Sequence, residues 1–202
     1  MMRTSFAMAI TALMIVGITA RAQAQAEHYG PAPWELNIHA GALFVDGGDG
    51  GDSDTDPMFG ARLGYNMPSG LGFAGNFDYV LSDADLDGDD IDVSTYLYSG
   101  EVNYTFPSSN PLHIFLLAGI GAASTSYSDL PEGFDDSFTD LMIPVGGGVK
   151  WFAPGSSWGI RTEIRDNIVL VDDVFDAEEG DQDTEAFHNI EVSGGISFFF
   201  GS

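Results

Sequence analysis

Nine charged residues recur at positions that a two-residue alternation places on one face of the chain. They are Arg62, Lys150, Arg161 and Arg165, with Glu35, Asp78, Glu101, Glu163 and Glu191. Four cations beside five carboxylates can brace an interior as an ion-pair network, or line an ion path. In the first case removing one partner costs ~3–5 kcal/mol, because the other charge is stranded. A second group of residues could hold cations. Four connecting segments carry 24 of the 31 acidic residues and no Lys or Arg. Carboxylates packed this densely repel one another unless salt or divalent ions screen them. Oxygen-only clusters suit Ca²⁺ or Mg²⁺. Asp83, Asp85, Asp87 and Asp89 follow the first half of a calcium-binding EF-hand loop. That match fails at its twelfth position, where Ser94 stands in place of Glu, and strands rather than helices flank it. A solvated acidic surface with weak Ca²⁺ or Mg²⁺ binding is the simpler expectation, and no tightly held cofactor is expected.

Few elements are available to position these groups. Arg3 followed by the apolar run Phe6 to Ala20, and the small residues Ala22, Ala24 and Ala26, form a secretory signal peptide over 1–26. Cleavage is expected after Ala26, with Ala24 as the alternative. Residues 27–33 form a short lead-in and 34–202 one domain. No second segment reaches the ~18 apolar residues of a spanning helix. Beyond residue 26 only four basic residues face all 31 acidic ones, which argues against nucleic-acid binding. With no cysteine, disulfides and thiolate metal sites are excluded.

Gly, Pro, Asp and Ser clusters cut the domain into strand-length pieces near 34–45, 57–67, 71–81, 94–106, 112–124, 141–152, 158–168 and 188–200. Short connections at Pro68-Ser69-Gly70, Pro107 to Pro111 and Ala153 to Ser157 alternate with long ones near 46–56, 82–93, 125–140 and 169–187. This is the plan of an eight-stranded antiparallel up-and-down meander. Within strands the two faces differ sharply. Phe59, Ala61, Leu63 and Tyr65 oppose Gly60, Arg62, Gly64 and Asn66, and Trp158, Ile160 and Ile164 oppose Gly159, Arg161, Glu163 and Arg165.

Alternation alone does not say which face points inward; a lipocalin-like soluble barrel has its apolar face inside. Two features place the apolar face outside. The polar face is rich in Gly, Ala, Ser and Asn, which a narrow eight-stranded interior can hold. Aromatic residues also gather toward the strand ends, among them Trp34, Phe44, Tyr65, Tyr104, Phe106, Trp151, Trp158 and Phe200, as interfacial girdles do. The expected architecture is therefore an all-β, eight-stranded antiparallel up-and-down transmembrane β-barrel. A side-chain-filled lumen makes the nine interior charges a structural network rather than an ion path.

Three segments carry a family resemblance: Val145 to Phe152 with its Gly146-Gly147-Gly148 run, Gly159 to Arg165, and the closing Val192 to Phe200. Through them residues 34–200 resemble the small outer-membrane β-barrel family of OmpA-type and OmpX-type barrels. The final strand, with Phe198 and Phe200, resembles that family's assembly signal, here followed by Gly201 and Ser202. The resemblance implies the bacterial outer membrane, contact with lipid and lipopolysaccharide, insertion by the assembly machinery, and a monomer. No peptidoglycan-binding domain is expected after the barrel, so the wall-tethering role of longer OmpA-type proteins is not implied. The expected role is non-enzymatic, in outer-membrane integrity or surface interaction, with a divalent-cation-binding surface protein as the alternative. Some barrels of this kind modify lipid A with His, Ser and a carboxylate. Only His188 combines outward parity with an outer strand end, and the nearest outward Ser, Ser124 on strand five, cannot meet it. Asp166, also on the apolar parity, is expected at the outer interface.

Overall fold

A computed structural model of the protein describes residues 32–45, 54–86, 89–127, 137–172 and 184–201. The signal segment and its cleavage sites lie outside the described residues. Eight strands follow one another: β1 (Trp34–Val45), β2 (Asp54–Asn66), β3 (Leu71–Leu86), β4 (Asp89–Thr105), β5 (Leu112–Tyr127), β6 (Ser137–Phe152), β7 (Trp158–Asp172) and β8 (Thr184–Phe200). Each pairs antiparallel with the next, and β8 returns to β1 from Trp34↔Phe200 to Val45↔Asn189. The sheet is a closed barrel with no free edge.

At the short-turn end the strand limits match the sequence expectation within one residue. Tight turns fix them. Gly70 and Gly155 adopt φ of 87° and 70°, a region costly for residues bearing a Cβ. The Gly70 amide donates to the Met67 carbonyl at 3.0 Å. At the opposite end the strands run further than expected. The segment expected as a loop over 82–93 is mostly ladder, with Asp83 paired to Asp92, Asp85 to Asp90 and Leu86 to Asp89. Likewise β2 begins at Asp54, β6 at Ser137 and β8 at Thr184. Apolar alternation marks only the lipid-facing part of a strand. The backbone ladder needs no apolar side chains, so it continues past that signal.

The apolar face does point outward. Ile38, Phe59, Ile114, Ile120 and Ile164 are among the large apolar side chains left more than half exposed. All nine charged residues named above are buried. Side-chain polarity is thus inverted relative to a soluble barrel, and lipid must cover the outside.

The interior is not small and polar throughout, which corrects the sequence expectation. Toward the long-connection end, Leu43, Met58, Val80, Leu97, Ala123, Met142 and Val169 form a buried apolar collar. Each lies on the same alternation as the charged residues of its own strand, or on the inward face of β5. Near the short-turn end Phe152 packs edge-on against His113 at 4.9 Å and Phe199 at 5.2 Å. The lumen is therefore stratified, with an aromatic floor, a charged middle and an apolar collar. Above the collar it opens as a blind cup of about 200 Å³, rimmed by Asp56, Ser82, Thr95, Thr125, Asp140 and Asn189.

Candidate functional site

The charged middle layer is built by strand geometry. Inward positions recur every second residue, so β7 delivers Arg161, Glu163 and Arg165 in a row. Facing glycines make room for them. A Cβ at Gly146 would strike the Ile164 carbonyl and the Arg165 backbone, and one at Gly148 the Thr162 carbonyl and the Glu163 backbone. The Gly-rich run of β6 thus lets the long β7 side chains rise into the lumen.

Glu163 is the hub. Arg62 grips it with two parallel bonds, Nη1 to Oε2 at 2.9 Å and Nη2 to Oε1 at 3.0 Å. Arg161 donates to Oε2 from Nε at 2.9 Å and from Nη2 at 2.5 Å. Arg165 donates to Oε1 from Nε at 2.7 Å and also from Nη2. Such charge-assisted bidentate contacts are among the strongest hydrogen bonds in proteins. Arg165 Nη1 reaches Glu101 Oε1 at 3.0 Å. Arg62 Nε lies 3.1 Å from Glu101 Oε2, without a hydrogen-bond angle.

A second knot lies around Glu35. Its carboxylate accepts from Lys150 Nζ at 2.7 Å, Ser197 Oγ at 2.8 Å and Asn66 Nδ2 at 3.0 Å. The two knots meet over Phe115, which is fully buried and carries the Arg161 guanidinium 3.8 Å from its ring centroid. Phe115 was not marked by the sequence, because β5 is apolar on both faces over Ile114 to Ala118 and shows no alternation there.

Asp78 and Glu191 belong to a third group. Asp78 Oδ1 lies 2.6 Å from His39 Nε2. Glu191 accepts from Ser193 at 3.0 Å and Asn167 at 3.2 Å, with Arg165 Nε 3.3 Å away. The structure therefore places all nine charged residues in the lumen and joins them through direct contacts. His39 joins them as a tenth titratable member. His39 shares the alternation of Glu35 on β1, but nothing local pairs it with Asp78, which lies two strands away.

The acidic positions with calcium-loop spacing are arranged differently from an ion-wrapping loop. Asp83 and Asp85 lie on β3 and Asp89 on β4, in an extended hairpin. Asp87 lies outside the described residues. On the outer surface His188 Nδ1 meets Asp166 Oδ2 at 2.7 Å. This pair stands across the β7–β8 ladder, with both residues on the lipid-facing side. Ser124 is engaged elsewhere, with Tyr98 at 3.2 Å and Thr139 at 2.8 Å. Phe198 and Phe200 both face outward.

A family model described as "Outer membrane protein beta-barrel domain" matches residues 10–198. No curated protein matches the sequence. Among solved structures, Neisserial surface protein A is similar with a TM-score of 0.63 at 18% identity, over 83% of this chain and 97% of that one. Ail, the attachment invasion locus protein of Yersinia pestis, in complex with the heparin analogue sucrose octasulfate, is similar with a TM-score of 0.54 at 16% identity, over 83% and 99%. At these identities the likeness is one of fold.

Proposed function

This chain belongs to the outer membrane protein beta-barrel domain family, and from that premise we propose that it is a non-enzymatic barrel serving outer-membrane integrity or surface interaction. The protein resides in the bacterial outer membrane. The observation that carries the proposal is the sealed lumen. Three arginines converge on Glu163 beneath an apolar collar, so that among the described residues side chains fill the barrel interior. What remains to meet the surroundings is the long-connection end.

The connections at that end carry acidic residues and no Lys or Arg. They favour cationic or cation-bridged partners over polyanions. Ail was solved with a sulfated heparin analogue; such a ligand finds no basic group on the loops of this chain. Weak Ca²⁺ or Mg²⁺ association with the loop carboxylates belongs to the same proposal, as do lipopolysaccharide contact along the apolar outside and recognition of Phe198 and Phe200 during insertion. An enzymatic role has less support: His188 and Asp166 form a pair, but Ser124 on β5 is not on a strand adjacent to β8.

The test is expression in a strain lacking its own copy, beside a variant in which residues 83–92 and the β7–β8 connection over 173–183 are each replaced by a tight turn. Detergent sensitivity and attachment to cationic surfaces should change with the loops, while lipid A mass stays the same. A lipid A mass change on expression of the wild type, abolished by His188→Ala, would overturn the proposal in favour of an enzyme.

A further inference from the structure

We propose that His39, Asp78 and Glu191 form a buried site for one divalent transition-metal ion of the zinc class. Their ligand atoms lie within 4.8 Å of one another, and all three residues are buried inside the barrel. One imidazole and two carboxylates are a donor set that suits Zn²⁺, and the two acids match its charge.

The hydrogen-bond directions around His39 carry the inference. Ser197 Oγ donates its only proton to Glu35 Oε1 at 2.8 Å, since a carboxylate only accepts. Asn37 Nδ2 therefore donates to Ser197 Oγ, at 3.0 Å. That turns Asn37 Oδ1 toward His39 Nδ1, 3.0 Å away, so Nδ1 is the donor. The neutral ring then presents the lone pair of Nε2 to Asp78 Oδ1 at 2.6 Å. Two lone-pair atoms this close require a cation between them, either a proton or a metal ion. Metal-bound histidines characteristically donate their other ring nitrogen to an oxygen, as His39 does to Asn37.

The surroundings are shaped for the group. Gly60 stands between His39 and Asp78 in the ladder, and Gly195 flanks His39 on the other side. A Cβ at Gly60 would occupy the space of His39 Nε2 and Asp78 Oδ1 themselves. Two buried amides that donate to the cluster carboxylates, Asn76 to Asp78 and Asn167 to Glu191, leave their oxygens with no protein donor. Arg165 keeps its shorter contacts with Glu163 and Glu101 and reaches the cluster only at longer range, 3.3 Å from Glu191 Oε2 and 3.9 Å from Asp78 Oδ2. Zinc bonds of ~2.0–2.2 Å in tetrahedral geometry set ligand atoms roughly 3.3–3.5 Å apart. The His39–Asp78 contact would open by under about 1 Å to admit the ion.

None of the three residues lines the outer cup, so the ion must load while the barrel closes. The experiment is therefore refolding of tag-free protein into detergent with one equivalent of Zn²⁺, desalting against chelator, and elemental analysis. About one zinc per barrel is expected in the wild type. At least a tenfold loss is expected in His39→Gln and Asp78→Asn, and none in Asp83→Asn. Folding of each variant is checked by its unboiled mobility in SDS. X-ray absorption of the loaded wild type supplies a reading that needs no variant: one imidazole among oxygen ligands is expected. Zinc-free refolded protein, zinc retained by a folded His39→Gln variant, or an all-oxygen shell would each overturn the proposal. A zinc-free result would mean that a proton occupies the His39–Asp78 contact, and would leave the proposed surface role untouched.

Discussion

Glu163 answers to Arg62, Arg161 and Arg165 at once, and that concentration decides which residue the lumen can least spare. Removing a carboxylate from a buried network strands its partners, at a cost of ~3–5 kcal/mol. Glu163→Ala should therefore lose at least that much stability, and Arg161→Ala a comparable amount because Phe115 and Glu35 lose a partner too. Asp83→Asn should stay within about 0.5 kcal/mol, as expected of a surface substitution. Urea unfolding followed by tryptophan fluorescence reads all three, and equal stability of the Glu163 and Asp83 variants would refute the bracing role. Parity in the sequence was enough to put these side chains inside. It could not say that three arginines share one carboxylate, because that depends on the heights of strands far apart in the chain. The His188–Asp166 contact was missed for the same reason: both residues were legible as outward, but only the β7–β8 register sets them diagonally across from each other.

Glycine positions are not equivalent along the strands, and the spacing of β6 from its neighbours shows why. Gly148 lies against the Thr162 carbonyl and Glu163 backbone, which cannot give way cheaply, whereas a Cβ at Gly75 on β3 meets nothing within 4 Å. Gly148→Ala should cost ~1–3 kcal/mol as an overpacking substitution. Gly75→Ala should be neutral or slightly stabilising, through lower entropy of the unfolded chain. Both are read from the same urea curves. Pro144 adds a local feature of β6. It lacks an N–H, and the β5–β6 register skips the positions between Ala118↔Val145 and Gly121↔Met142. At the long-connection end, the β3–β4 hairpin beyond Ser82 contributes backbone pairing, while the described lumen network draws on Asp78 and Glu101 from these strands. Replacing residues 83–92 by a two-residue turn should leave the unboiled SDS mobility unchanged, and loss of the folded band would mean that the hairpin supports the barrel.

Closure of β8 onto β1 makes the molecule a sealed cylinder, and two bulk behaviours follow. Every strand has two partners, so unboiled protein should run faster in SDS than boiled protein, as a compact barrel that the detergent does not open. Identical mobilities would refute closure in the membrane. The stratified lumen should also keep planar bilayers silent. Discrete conductance steps from the purified protein would refute the sealed interior, and their disappearance in a Leu97→Trp variant would place the path through the collar.

The strand count, the short-turn ends of the strands and the inversion of polarity were legible in the residues alone. All of these are local, because alternation and turn chemistry are written within a dozen consecutive residues. Tertiary structure alone decided the rest. The collar of Leu43, Met58, Val80, Leu97, Ala123, Met142 and Val169 takes one residue from each strand except β8, and a lone apolar residue on a polar face carries no local signal. The extra ladder at the outer strand ends depends on a partner backbone, not on side-chain hydropathy. The meeting of His39 with Asp78 depends on the glycine between them in the neighbouring strand. Closing the barrel sets strand stagger, and stagger decides which inward residues share a level and touch.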